Sequence, residues 1–141
     1  MSERRRKRVL FVCVENSNRS QMAEAFARIL APELLEPHSA GSRPSGRVNP
    51  RAVRALAELG YDLGTHVSKS LDDVPQDGYD FVITMGCGDA CPHIPAEARR
   101  DWDLVDPRDL EAEAFNEVRD DIAGRVRALV AEIAEGSAPI P

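Results

Sequence analysis

The sequence predicts an α/β fold with a mainly parallel sheet. Two short, largely apolar runs, Val9-Leu-Phe-Val-Cys13 and Asp80-Phe-Val-Ile-Thr-Met85, read as buried strands. Segments with apolar residues at helical spacing alternate with them, as in a sheet built from strand–helix–strand units. At 141 residues the chain has room for one ordinary domain with a real core. We assign residues 1–8 to a basic tail, 9–135 to a single domain and 136–141 to a C-terminal tail.

The elements follow in order. After the first strand, Glu15 to Ser20 is a polar loop. Met22, Phe26, Ile29 and Leu30 then recur on one face of a helix, which Pro32 bounds. Leu34 to Ala40 reads as a second strand, and Gly41 to Gly46 as a loop. Asn49-Pro50 supplies an N-cap and a proline at the first helical position, ahead of Val53, Leu56 and Ala57, with Gly60 as the stop. Leu63 to Gly78 is polar and irregular, with room for a short helical turn. After the strand ending at Met85, two glycines and a proline mark Gly86 to Pro92 as a loop. Trp102 to Val105 reads as a last short strand. Phe115, Val118, Ile122, Val126, Leu129 and Ile133 step along a long amphipathic helix.

Composition excludes several classes of function. Hydrophobic residues make up 43% and charged residues 30%, a globular balance. The net charge of −6 suits neither general nucleic-acid binding nor an anionic membrane surface. No apolar run approaches the ~18 residues of a membrane span. The Arg4–Arg8 cluster before a five-residue apolar stretch reads as a solvated tail rather than a signal peptide, so a cytoplasmic location is expected. There are three cysteines, an odd number. In the cytoplasm they read as reactive or metal-binding before they read as structural bridges.

Cys13-Val-Glu-Asn-Ser-Asn-Arg19-Ser20 carries the chemistry. A turn from strand to helix can curl its backbone N–H groups around a tetrahedral oxyanion, and the helix N-terminus adds positive potential. Residues Val14, Glu15, Asn16, Ser17, Asn18, Arg19 and Ser20 would form that cradle. Arg19 can fold its fork over two oxygens. A cysteine on the cradle floor is placed as a nucleophile, with Ser20 in reach of its sulfur. Asn16 can lock the loop through backbone hydrogen bonds. Ligand sites in parallel sheets lie at the carboxyl ends of the strands, which puts the loops after Cys13, Met85 and Val105 on one rim.

From this loop onward the chain resembles the low-molecular-weight protein tyrosine phosphatase superfamily and, within it, the arsenate reductases. The resemblance rests on Cys13 to Glu24, Ser39-Ala-Gly41, Val48-Asn-Pro50, Lys69-Ser70 and Asp106-Pro107, and runs from about Val9 to Val130. It implies a four-stranded parallel sheet with helices on both faces. It also implies that Asp106 is the general acid. From the residues alone Asp106 reads equally as a helix-entry cap, and Asp101, Asp103 and Asp109 compete with it.

Cys87 and Cys91 distinguish a reductase from a simple phosphatase, which has no need of them. The resemblance implies a relay in which Cys13 is the nucleophile, Cys87 the second thiol and Cys91 the third. The implied activity is reduction of arsenate to arsenite, with thioredoxin as first-choice reductant and glutaredoxin or a small thiol as the second. Hydrolysis of a phosphoester is the alternative. No cofactor is expected. A zinc site at Cys87, Cys91 and His93 fits poorly by spacing. Some such reductases hold potassium near the equivalents of Asn16, Glu24 and Ser39, but Lys69 can supply a cation there, so no metal is assigned. His38, His66 and His93 have no evident partner in the sequence. Two departures from the phosphatases stand out. Asn18 replaces a second loop cysteine, and Arg108-Asp109 replaces tyrosines after Asp106-Pro107.

Overall fold

A computed structural model describes residues 6–86 and 94–136. The strands are β1 (Lys7–Cys13), β2 (Leu35–Gly41), β3 (Tyr79–Thr84) and β4 (Ala96–Asp101). The helices are α1 (Arg19–Leu30), α2 (Pro50–Ala57) and α3 (Ala112–Gly136). The four strands form one parallel sheet in the order β2-β1-β3-β4. β1 is central and buried from Val9 to Cys13, so its apolar side chains are continuous rather than alternating. The chain leaves β1 for β2 on one side and returns to β3 on the other. The crevice at that reversal, between the ends of β1 and β3, is where parallel sheets hold ligands.

Alternate residues of β1 serve two cores. Val9 and Phe11 pack with Met22 and Phe26 of α1, Ala52 and Leu56 of α2, and Phe115, Ile122, Val126 and Leu129 of α3. Leu10 and Val12 face Ala40, Val74, Tyr79, Val82 and Ile94. A 3-10 turn over Leu71–Asp73 lies beside this second, smaller core. The α3 periodicity is realised as expected. Asn49 caps α2 by accepting from the Arg51 N–H at 2.8 Å, with Pro50 in the first turn. Among the described residues no helix is long and apolar enough to cross a membrane.

Three expectations need correction. The last strand is Ala96–Asp101 and not Trp102–Val105. As an edge strand it carries charge where a central strand carries apolar residues: Arg100 stacks over Phe81 and pairs with Glu132 of α3 at 2.7 Å. Pairing with β3, rather than apolar content, defines it. On α1, Ile29 and Leu30 are exposed, at 43% and 37%. The helix is instead buried from Arg19 to Ala27, where alanines 23, 25 and 27 allow close packing. On α2, Ala55 replaces Ala57 on the buried face.

Candidate active site

The loop after β1 is held open by its surroundings. The carbonyls of Cys13, Val14, Glu15 and Ser17 accept from the N–H groups of Ser42, Arg43, Ser45 and Asn49. With the carbonyls turned outward, the N–H groups of Glu15, Asn16, Ser17 and Asn18 have no protein acceptor among the described residues. That is the arrangement an oxyanion cradle requires. Asn16 takes a left-handed conformation, φ 52°, and its Oδ1 accepts from the Lys69 N–H at 2.8 Å. Gly41 leaves the loop its space. A Cβ there would lie 2.5 Å from the Val14 oxygen and 2.9 Å from the Asn16 nitrogen. The Ser39–Gly41, Val48–Pro50 and Lys69–Ser70 motifs thus act as buttresses of one loop.

Cys13 is buried, and its sulfur lies 2.8 Å from Ser20 Oγ. Asn16 Nδ2 donates to the same Oγ at 2.7 Å, which leaves the serine proton for the sulfur. Behind Asn16 runs a chain of buried and half-buried polar groups. Gln21 Nε2 donates to Asn16 Oδ1 at 2.8 Å, and Gln21 Oε1 lies 2.9 Å from His66 Nδ1. His66 Nε2 lies 2.6 Å from the Tyr61 hydroxyl. A neutral imidazole with its proton on Nδ1 satisfies the whole chain, with Tyr61 donating to Nε2. Burial first, with help from the Arg28 and Lys69 charges, holds His66 below its ordinary value of 6.5. This partnership is invisible in the sequence, because 45 residues separate Gln21 from His66. His38 also has a partner, Glu36 Oε2 at 2.8 Å.

Glu24 faces away from the sulfur. Its Oε1 accepts from Ser39 Oγ at 2.6 Å and lies 3.8 Å from Lys69 Nζ, while Oε2 accepts from Arg28. Burial acts to raise its carboxyl, but the Ser39 hydrogen bond, the Lys69 charge and the Arg28 hydrogen bond outweigh it and leave it below the usual range. Lys69 therefore stands beside Glu24 and Ser39 as a cation. Among the described residues no three His, Cys, Asp or Glu side chains gather as a metal site would require.

A cavity of about 270 Å³ opens over Cys13. Val14, Glu15, Ser17, Asn18 and Arg19 line it from the loop, Gly86 from the end of β3, and Asp106 and Arg108 from beyond β4. Arg19 is 8% exposed, its Nη1 reaches the Leu104 carbonyl at 3.4 Å, and its Nη2 lies 3.7 Å from Asp106 Oδ2. Of the acidic candidates on this side, Asp106 lines the cavity, whereas Asp101 accepts from Thr84. Asp106 also caps the 3-10 turn Pro107–Asp109 by accepting from the Arg108 N–H at 3.0 Å, so the cap reading holds, with Oδ2 on the side of Arg19. Arg51 of α2 pins that turn by donating to the carbonyls of Arg108 and Leu110. Cys87 and Cys91, with the rest of residues 87–93, lie outside the described residues.

A cysteine and an arginine line one cavity at the switch point of a parallel sheet, an arrangement suited to thiol chemistry on a tetrahedral oxyanion. The chain belongs to the family described as low molecular weight phosphotyrosine protein phosphatase, whose match spans residues 8–138. It is 39% identical to the glutaredoxin arsenate reductase of Synechocystis sp., over 90% of this chain and 98% of that one. An arsenate reductase solved in a phosphate-binding state superposes with a TM-score of 0.81 at 38% identity, covering 90% of this chain and 98% of that one. A thioredoxin-dependent arsenate reductase of Corynebacterium glutamicum gives a TM-score of 0.78 at 34% identity, covering 94% of this chain and 64% of that one.

Proposed function

We propose that this protein is an arsenate reductase that works through Cys13 and a thiol–disulfide relay. The observation that carries the reading is the loop itself: its N–H groups meet no acceptor among the described residues, and it lines one small cavity together with Cys13 and Arg19. The arsenate reductases among its relatives support the choice of oxyanion. The Cys13 thiolate attacks arsenic(V), and one oxygen leaves with a proton from Asp106 as water. The loop N–H groups and Arg19 hold the remaining oxygens and their charge. Cys87 then attacks the Cys13 sulfur. The S–As bond breaks, its electron pair stays on arsenic, and arsenite leaves while a Cys13–Cys87 disulfide forms. Cys91 exchanges into that disulfide, frees Cys13 and presents Cys87–Cys91 to an external dithiol. Each cycle oxidises two thiols and reduces one arsenic by two electrons.

Relatives named for glutaredoxin and for thioredoxin leave both reductants open. We favour thioredoxin, since an internal Cys87–Cys91 disulfide is the natural substrate of a dithiol reductant. Hydrolysis of aryl phosphoesters is the weaker reading, because among the described residues no aromatic ring lines the cavity. The test is arsenate-dependent NADPH oxidation, coupled either to thioredoxin and its reductase or to glutaredoxin, glutathione and glutathione reductase. Turnover with thioredoxin supports the full reading. Turnover with glutaredoxin alone moves the last disulfide outside the chain. Phosphoester hydrolysis without arsenate turnover overturns the reductase.

A further inference from the structure

We propose that the ion pair between Glu15 and Arg108 is a size filter across the mouth of the cavity, admitting a compact free oxyanion and obstructing an oxyanion that carries an aromatic group. This inference rests on the reading of the Cys13 loop as an oxyanion site. Arg108 Nη1 meets Glu15 Oε2 at 3.0 Å, joining the loop after β1 to the turn beyond β4. Both residues line the cavity, and their side chains are about half exposed, at 52% and 42%, as groups at a mouth should be. The backbone that launches Arg108 is fixed. Its N–H donates to Asp106 Oδ1 at 3.0 Å, and its carbonyl accepts from Arg51 Nη1 at 2.8 Å. The guanidinium therefore swings on its side chain alone.

A free oxyanion fits beneath the closed pair, within about 270 Å³. A ring attached to one of its oxygens, or to its central atom, must leave through the mouth and part Glu15 from Arg108. Among the described residues the lining offers that ring no aromatic surface in return. A half-exposed ion pair is worth about fivefold in an equilibrium. That is the scale of discrimination expected.

Inorganic phosphate and phenylphosphonate, whose C–P bond resists hydrolysis, provide the test. Each is titrated for its ability to protect Cys13 from iodoacetamide, read by mass spectrometry of the Cys13 peptide. The variants are Glu15→Gln, Arg108→Gln and the double variant. Loss of a negative charge strengthens both anions and loss of a positive charge weakens both, so simple electrostatics cancels in the ratio of the two affinities. A filter moves that ratio about fivefold towards phenylphosphonate in both single variants, with no further change in the double variant. An unchanged ratio, or opposite shifts in the two single variants, overturns the filter. Failure of either ligand to protect wild-type Cys13 overturns the oxyanion reading and the filter with it.

Discussion

Gly86 carries no functional group, yet it touches the chemistry. It lies two residues beyond β3 with φ +81°, and a Cβ on it would lie 2.8 Å from Arg19 Nη1. Gly86→Ala must strain the turn, displace the guanidinium, or do both. Phosphate affinity, read by Cys13 protection, should fall about tenfold or more, given what one oxyanion donor contributes. At the other end of the polar chain, His66 supplies a pH signature. Its depressed value means that the unfolded chain takes up the proton first as pH falls. The stability it contributes is full above 6.5 and is lost as pH falls through the folded-state value. Urea midpoints measured from neutral pH down to about pH 5 should fall more steeply for wild type than for His66→Gln, which keeps polar groups there without titrating. Parallel curves would show that His66 is not the half-buried neutral group described.

The elements show what a sequence carries and what it hides. β1 was legible because burial on both faces writes a continuous apolar run, and α3 because burial on one face writes a helical period. The α2 cap was legible because Asn49-Pro50 acts locally. β4 was not, because an edge strand held by pairing to β3 and by the Arg100–Glu132 bridge needs no apolar run. The Cys13 loop was legible as a motif, but its supports were not. Arg51 lies 57 residues from Arg108 in sequence and reaches it only once α2 packs beside α3. Arg51 also stacks over Phe115 at 4.9 Å, so it ties α2 and α3 to the turn that carries Asp106. Arg51→Leu keeps an apolar contact with Phe115 and removes both donors. It should lower the rate of adduct formation roughly tenfold or more while changing phosphate affinity much less, since misplacement of the acid acts on the oxygen-leaving step. An equal fall in both would place Arg51 in oxyanion binding instead.

At the scale of the whole molecule, the sheet order gathers chemistry from distant parts of the chain. The end of β1 gives Cys13 and its cradle, the end of β3 gives Gly86, and the turn beyond β4 gives Asp106 and Arg108. Gly86, on this rim, is the last described residue before 87–93. Cys87 is the partner of Cys13 that the family resemblance implies and that we propose here. Cys87→Ser should abolish arsenate turnover with any dithiol reductant while Cys13 remains protectable by phosphate. Loss of that protection would mean that Cys87 holds the site together rather than relaying electrons.

The central claim is that this chain itself supplies the two electrons that reduce arsenic. It is tested most directly by mixing fully reduced protein with excess arsenate in the absence of any reductant, then measuring arsenite released and free thiols lost per chain. The account predicts one arsenite and two thiols lost for wild type, and neither for Cys13→Ser or Cys87→Ser. Release of no arsenite by wild-type protein, or release that survives Cys13→Ser, would contradict it.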